Sequence, residues 1–158
     1  MIIHAGLIAL RLGGYWKGVL IEGPSGSGKS DLGLRALSLG MRLVADDQTL
    51  IWKSAGRLYG RAPQTLHDKM EIRALDIVLE STLPMAQVVM VVRCVGERDV
   101  LDRLPPPQAV NLLECTLPVV DLWPFEPSAA MKLHRSVCHI GQMRQGAYQA
   151  TLAPHKLP

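Results

Sequence analysis

Aromatic residues are scarce in this chain: Phe, Trp and Tyr make up 4% of it, and there is a single Phe. The core must therefore be mostly aliphatic. A reader of single-stranded nucleic acid, which needs aromatic platforms for stacking bases, is disfavoured. Cysteine is equally sparse. Cys94, Cys115 and Cys138 form an odd, scattered set without C-x-x-C spacing, which suits reduced, buried structural thiols in a cytoplasmic protein. Long apolar runs are missing too. The longest, Val88 to Val95, is broken by Arg93 and is far short of the ~20 residues that cross a bilayer, so no membrane association is expected. The apolar opening Met1 to Leu10 has no basic n-region and no small-residue cleavage site, and so reads as a first strand rather than a signal peptide. No long run of Lys or Arg exists, and the net charge is +3. A solvated mixed surface explains that balance without a nucleic-acid partner.

What is present is ordinary globular composition, 48% hydrophobic and 20% charged over 158 residues. That is enough for one domain with a real core and too little for two. The domain is expected over 1–146, with 147–158 a C-terminal tail of little signal and partial disorder. Ile2 to Leu10 and Gly18 to Glu22 read as strands of a hairpin turning at Gly13-Gly14. A helix follows Ser30 and stops at Gly40. Arg42 to Ala45 reads as a buried strand. Gln48 to Trp52 and Arg57 to Gly60 flank a turn at Lys53-Ser54-Ala55-Gly56. Met70 to Ile77 has mixed polarity and no clear structure. Gln87 to Val95 is β-branched enough for a central strand. Arg98 to Leu104 suggests a short helix stopped by three prolines, and Ala109 to Val120 one or two strands. Ser128 suits the N-cap of a last helix whose core face is Ala130, Leu133, Val137 and Ile140. The whole reads as α/β, with more hairpins than a doubly wound sheet has.

The most informative stretch is Gly23-Pro24-Ser25-Gly26-Ser27-Gly28-Lys29-Ser30. It fits the phosphate-binding pattern G-x-x-x-x-G-K-[ST] without a mismatch, between an apolar strand and a helix as that pattern requires. The glycines let successive N–H groups turn inward toward phosphate oxygens, and the helix N-terminus adds its partial charge. Lys29 is placed to reach the β- and γ-phosphates, and the Ser30 hydroxyl to ligate Mg²⁺. ATP and Mg²⁺ are the cofactors these residues point to.

Asp46-Asp47 end the next apolar strand. Carboxyl ends of strands are where α/β sheets bind ligands. If that strand lies parallel beside the loop's strand, the two carboxylates arrive near the γ-phosphate, one to hold Mg²⁺ and one to take a proton from an attacking hydroxyl. Asp-Asp-Gln is also good turn chemistry. Glu71 and Arg73 are either a surface ion pair or part of the site, and spacing alone does not decide.

Taken together, the stretches Gly18 to Ser30, Gly40 to Asp47 and Met70 to Leu75, with His4 on the preceding strand, resemble the HPr kinase/phosphorylase family in its C-terminal catalytic domain. The likeness runs from about residue 2 to 78. It implies the P-loop kinase fold of the HPr kinase and PEP carboxykinase-like type, with a central sheet, hairpins and flanking helices. It also implies an ATP-dependent protein serine kinase acting on HPr, the phosphocarrier of the sugar phosphotransferase system, and a hexameric assembly. Carried over by position, Asp47 looks like the catalytic base, Asp46 a support for both the metal and that base, Lys29 the phosphate clamp, and Ser30 and Glu71 Mg²⁺ ligands. His4 would line the site, Arg73 would serve both reaction directions, and Arg103 would stabilise transferred charge.

The chain resembles a truncated, proteobacterial-type form of the family, without the regulatory domain of longer members. The glycine-rich stretch that follows Glu-Ile-Arg in the family is replaced by Ile77 to Leu83. The basic segment tied to dephosphorylation is replaced near Pro124 to Ala129. Weak or absent phosphorylase activity is the expectation. A nucleotide-binding regulatory module without catalysis and a small-molecule P-loop kinase are the alternatives.

Overall fold

The computed structural model describes residues 1–142. The sequence alternates short strands with two helices. The strands β1 (Ile2–Ile3), β2 (Gly6–Leu12) and β3 (Tyr15–Glu22) lead into helix α1 (Lys29–Leu37). Then follow β4 (Arg42–Ala45), β5 (Thr49–Ser54), β6 (Arg57–Arg61), β7 (Lys69–Ile72), β8 (Asp76–Leu79), β9 (Ala86–Cys94), β10 (Gln108–Leu112), β11 (Cys115–Leu122) and helix α2 (Ala129–His139).

Nine strands form one sheet in the order β1-β5-β6-β9-β3-β2-β4, with β11 beside β9 and β10 outside it. The β-branched β9 is the hub. It runs parallel to β3 on one side. On the other side its first half pairs antiparallel with β6 and its second half parallel with β11. The β2–β3 hairpin turns at Gly13-Gly14, and β5–β6 turns at Ala55-Gly56, both where the turn residues stand in sequence.

The strand of the acidic pair does not lie beside the loop's strand. β2 stands between them, antiparallel to β3 and to β4. Two reversals restore direction, so β3 and β4 point the same way and their carboxyl ends emerge at the same edge of the sheet. The expected convergence is therefore met through a hairpin rather than a direct parallel pairing.

The sheet curls strongly. Leu7 on β2 comes so close to Gly60 on β6, three strands away, that a Cβ there would stand 2.7 Å from Leu7 Cδ2. Inside the curl lies an all-strand aliphatic core including Leu7, Leu20, Val44, Ile51, Leu58, Val88 and Val91. The opposite face packs Ile8, Val19, Ile21, Met90 and Val92 against Leu32 and Ala36 of α1 and Ala130, Leu133 and Val137 of α2. Ile140 packs partly buried against the same cluster, completing the predicted apolar face of α2. Ser128 holds the position before α2, but its side chain makes no cap bond.

Three local expectations change. Residues 98–104 form only a 3₁₀ turn at Arg98–Val100, since Pro105 follows too soon for a helix to nucleate. The ambiguous stretch 70–77 is a separate hairpin, β7–β8. Cys94 and Cys115 are buried as expected, whereas Cys138 is only half-buried. The expected tail at 147–158 lies outside the described residues.

Candidate active site

Three chain segments meet at the carboxyl edge of β3 and β4: the glycine-rich turn, Asp46-Asp47, and the start of the β7–β8 hairpin. Between them is a cleft of about 410 Å³. Ser25, Gly26, Gly28, Lys29, Ser30, Asp46, Asp47, Glu71 and Arg73 all line it, so most of the predicted residues share one cavity.

The turn is shaped by its glycines. Gly26 and Gly28 have φ of 78° and 91°, left-handed values that other residues adopt at a cost. A Cβ at Gly26 would meet nothing within 4 Å, so the backbone there is open to the cleft. Ser27, buried against the Cys94 thiol beneath the turn, has no hydrogen-bond partner of normal geometry for its Oγ among the described residues. Burial pushes that thiol up to about 11, although Lys29's charge and Ser27 pull the other way. Cys94 is thus a protonated packing residue.

Lys29 opens α1 and is 8% exposed. Its ammonium turns back on the loop and donates to the carbonyls of Gly23 (2.8 Å) and Pro24 (3.2 Å). Ser30, next along, points across the cleft, and its hydroxyl donates to Asp46 Oδ1 at 2.9 Å. The other oxygen of Asp46 accepts the backbone N–H of Glu71 at 3.0 Å. One carboxylate therefore ties the helix, β4 and β7 together. Burial raises its pKa above the ordinary Asp value. The bonds from Glu71 and Ser30 oppose that shift, and the charges of Asp47 and Glu71 add to it.

Asp47 follows in a left-handed conformation, φ 62°. A non-glycine residue held there at a ligand-binding edge is a recurrent mark of functional sites. Its Oδ1 lies 3.3 Å from His4 Nε2. His4 stands behind Asp47 in the bend between β1 and β2 and does not itself line the cleft.

Arg103 is not brought to this place. It lines a separate depression between residues 98–105, β11 and α2. Four residues without a predicted role also line the cleft, Asp31, Leu34, Ile72 and Phe125. The signal for Phe125 was its being the sole Phe, set between Pro124 and Glu126-Pro127. The neighbouring β7–β8 hairpin was hidden because Met70 and Val78 pack on the core while its other apolar residues Leu75, Ile77 and Leu79 are exposed, so its apolar residues do not mark a single buried face.

The donor set fits a magnesium nucleotide. Ser30, Asp46, Asp47 and Glu71 offer only oxygens, the ligands Mg²⁺ prefers, and Mg²⁺ characteristically takes few of them from protein. Among the described residues no three or more His, Cys, Asp and Glu form a closed metal site. The inward-open backbone at Gly26 suits phosphate oxygens.

The HPr Serine kinase C-terminal domain model matches residues 3–97. The chain belongs to that family. A curated HPr kinase/phosphorylase from Streptococcus salivarius is 45% identical over 65 residues, 40% of this chain and 21% of that protein. One from Clostridium tetani is 37% identical over 82 residues, 52% of this chain and 27% of that protein. One from Xanthomonas campestris is 48% identical over 65 residues, 40% of this chain and 21% of that protein. The matched stretch thus spans about a fifth to a quarter of the length of these relatives. The solved Hpr(Ser) kinase/phosphatase from Coxiella burnetii shares the fold, with a TM-score of 0.75 and 20% identity over 99% of each chain. The family stretch includes the glycine-rich turn, Asp46-Asp47 and the Glu71–Arg73 segment.

Proposed function

We propose that this protein is an ATP-dependent protein serine kinase whose acceptor is an HPr-like phosphocarrier. The observation that carries the reading is the pair of hydrogen bonds that Asp46 accepts, from the Ser30 hydroxyl and from the Glu71 backbone N–H. It gathers the metal-type oxygens beside the glycine-rich turn, with Asp47 at the same edge.

In this reading Gly26, Gly28 and Lys29 hold the triphosphate. Ser30 and Glu71 hold Mg²⁺, with Asp46 fixing both. Bound there, the metal neutralises charge on the transferred phosphoryl group. Asp47 takes the proton of the acceptor serine as that oxygen bonds to the γ-phosphorus and the bridging bond to the β-phosphate breaks. His4 orients Asp47 from behind. Among the described residues lining the cleft, Lys29 and Arg73 are the only cations. Cations needed for inorganic phosphate are few, which supports weak or absent phosphorylase activity. Cytoplasmic location and a homo-oligomer, hexameric by family likeness, complete the proposal.

The test is incubation with Mg²⁺, γ-labelled ATP and purified HPr, followed by mapping of the label. Label on one HPr serine supports the reading. Tight ATP binding with no transfer to any carrier replaces it with a binding module. Brisk pyrophosphate release from phosphoserine-HPr and phosphate refutes the weak reverse activity.

A further inference from the structure

Phe125 is the chain's only phenylalanine, and it is 56% exposed while lining the cleft. Leaving a ring of that size in water forgoes a large burial term. Several contacts nonetheless keep it there. The Arg35 guanidinium of α1 donates to the carbonyls of Pro124 and Glu126, on either side of the phenylalanine. The Glu126 carboxylate is buried and accepts Lys132 of α2 at 2.6 Å. The Trp123 ring meets Phe125 edge-on, with centroids 6.4 Å apart and planes at 71°. The segment is therefore fixed to both helices, and the ring is presented rather than loose.

Its position is specific. A Cβ on Gly28 would stand 3.3 Å from the ring's Cε1 and Cζ, so the ring lies in contact range of the last glycine of the loop. Around α1 the two sides of the cleft divide by residue. Ser30 turns to Asp46. Asp31 and Arg35, about 100° and about 140° further round the helix from Ser30, pair with each other, and Arg35 reaches the Phe125 segment. The metal-type oxygens and Asp47 thus sit on one side of the helix start and the aromatic ring on the other.

We propose that Phe125 is the platform on which the base of the bound nucleotide stacks. This rests on the nucleotide reading of the cleft and adds a base subsite to it. A triphosphate anchored on Gly26 to Ser30 presents its γ-phosphate to Asp47 at one end. Its nucleoside must leave at the other end, where the structure offers an apolar, π-bearing surface beside Gly28. The base is held by its face alone, so ATP and GTP are bound alike. The acceptor protein approaches from the Asp47 side and does not need this ring.

The experiment is calorimetric titration of the whole chain with Mg-ATP, Mg-GTP and Mg-tripolyphosphate. The proteins are wild type, Phe125→Ala, Phe125→Leu and Phe125→Tyr, each checked for an unchanged melting transition. Stacking on one aromatic is worth a loss of about 5- to 150-fold on removal. Phe125→Ala and Phe125→Leu should lose that much affinity for both nucleotides and none for tripolyphosphate, and Phe125→Tyr should bind as wild type. Equal nucleotide affinity in wild type and Phe125→Ala overturns the proposal. So does an equal loss for nucleotide and tripolyphosphate, which would make Phe125 a support of the loop. Should any alanine variant misfold, the Leu and Tyr pair carries the same comparison. If the wild type binds tripolyphosphate but no nucleotide, the base subsite alone falls. If it binds neither, the nucleotide reading itself falls.

Discussion

Ser30 and Asp46 are joined by a 2.9 Å hydrogen bond from the serine hydroxyl to Oδ1, while Oδ2 accepts the Glu71 N–H. This carboxylate is the knot of the cleft, and it is held at an electrostatic cost. Burial raises its pKa, and the neighbouring Asp47 and Glu71 charges reinforce the shift. A carboxyl whose folded pKa exceeds its unfolded value favours the fold most at low pH, and that advantage disappears as pH rises through the raised value. Asp46→Asn can keep both bonds, with its carbonyl accepting Glu71 N–H and its amide donating to Ser30. Its melting temperature should therefore exceed wild type at neutral pH, and the gap should close as acid protonates Asp46. Magnesium-nucleotide affinity should fall about 10- to 100-fold. Thermal melts across pH and a titration with Mg-ATP check the two halves.

Asp47→Asn should separate binding from transfer. Asparagine tolerates the left-handed φ of 62° at this position, so the backbone is kept where alanine would add strain. If Asp47 takes the serine proton, transfer to HPr should drop about 10²- to 10⁴-fold with ATP affinity near wild type. A parallel loss of both would assign Asp47 to phosphate or metal binding instead. His4→Ala should show a smaller loss of the same kind.

The glycine-rich turn, the hairpins at Gly13-Gly14 and Ala55-Gly56 and the central β9 were legible because each carries a local signature. Turn residues, a fixed glycine spacing and a β-branched run act over a few positions. The placement of β2 between β3 and β4 was not legible, because sheet order is set by packing across the curl rather than by either strand's own residues. Leu7 fits against Gly60, a contact between residues far apart in sequence. Arg103 shows the same limit. A role carried over by position alone says nothing of which side of β11 the loop folds toward.

The β10–β11 turn is built from residues poorly suited to it. Leu113 and Glu114 both have positive φ, 49° and 62°, and the two-residue loop between the paired Leu112 and Cys115 needs that at each position. The Lys53–Glu114 pair at 2.7 Å and the bond from Glu114 N–H to Asn111 Oδ1 hold it in place. Leu113→Asn leaves both and supplies a side chain at home in the left-handed region. It should stabilise the protein by about 0.5–1 kcal/mol, or roughly 2–4 °C in melting temperature per kcal/mol.

Gly60→Ala tests the curl. The new methyl would meet Leu7 Cδ2 at 2.7 Å and Thr49 Cγ2 at 3.0 Å, inside a fully buried cluster. Overpacking of this kind costs about 1–3 kcal/mol. Leu7→Val alone should also destabilise, by removing a buried methylene. Together the two should cost less than their sum, because the smaller side chain makes room for the methyl. A strictly additive double variant would mean that β2 and β6 do not press on one another.

The hairpin that brings Glu71 to Asp46 is closed at its neck by Asp68. This carboxylate accepts the N–H and hydroxyl of Thr82, and His67 Nδ1 stands 2.8 Å from its other oxygen. Those bonds from Thr82 hold the Asp68 carboxyl below its ordinary pKa. A depressed acid supports the folded arrangement above its unfolded pKa and ceases to as pH falls through the depressed value. Thr82→Val removes the hydroxyl alone. Amide exchange over 69–80 should then be about fivefold faster at neutral pH, the scale of one net hydrogen bond, with exchange in β9 unchanged. The difference should vanish in acid, where Asp68 is protonated in both proteins. Equal exchange at neutral pH would mean that the neck is held by backbone pairing alone, and that Glu71 owes its place to Asp46 rather than to the latch behind it.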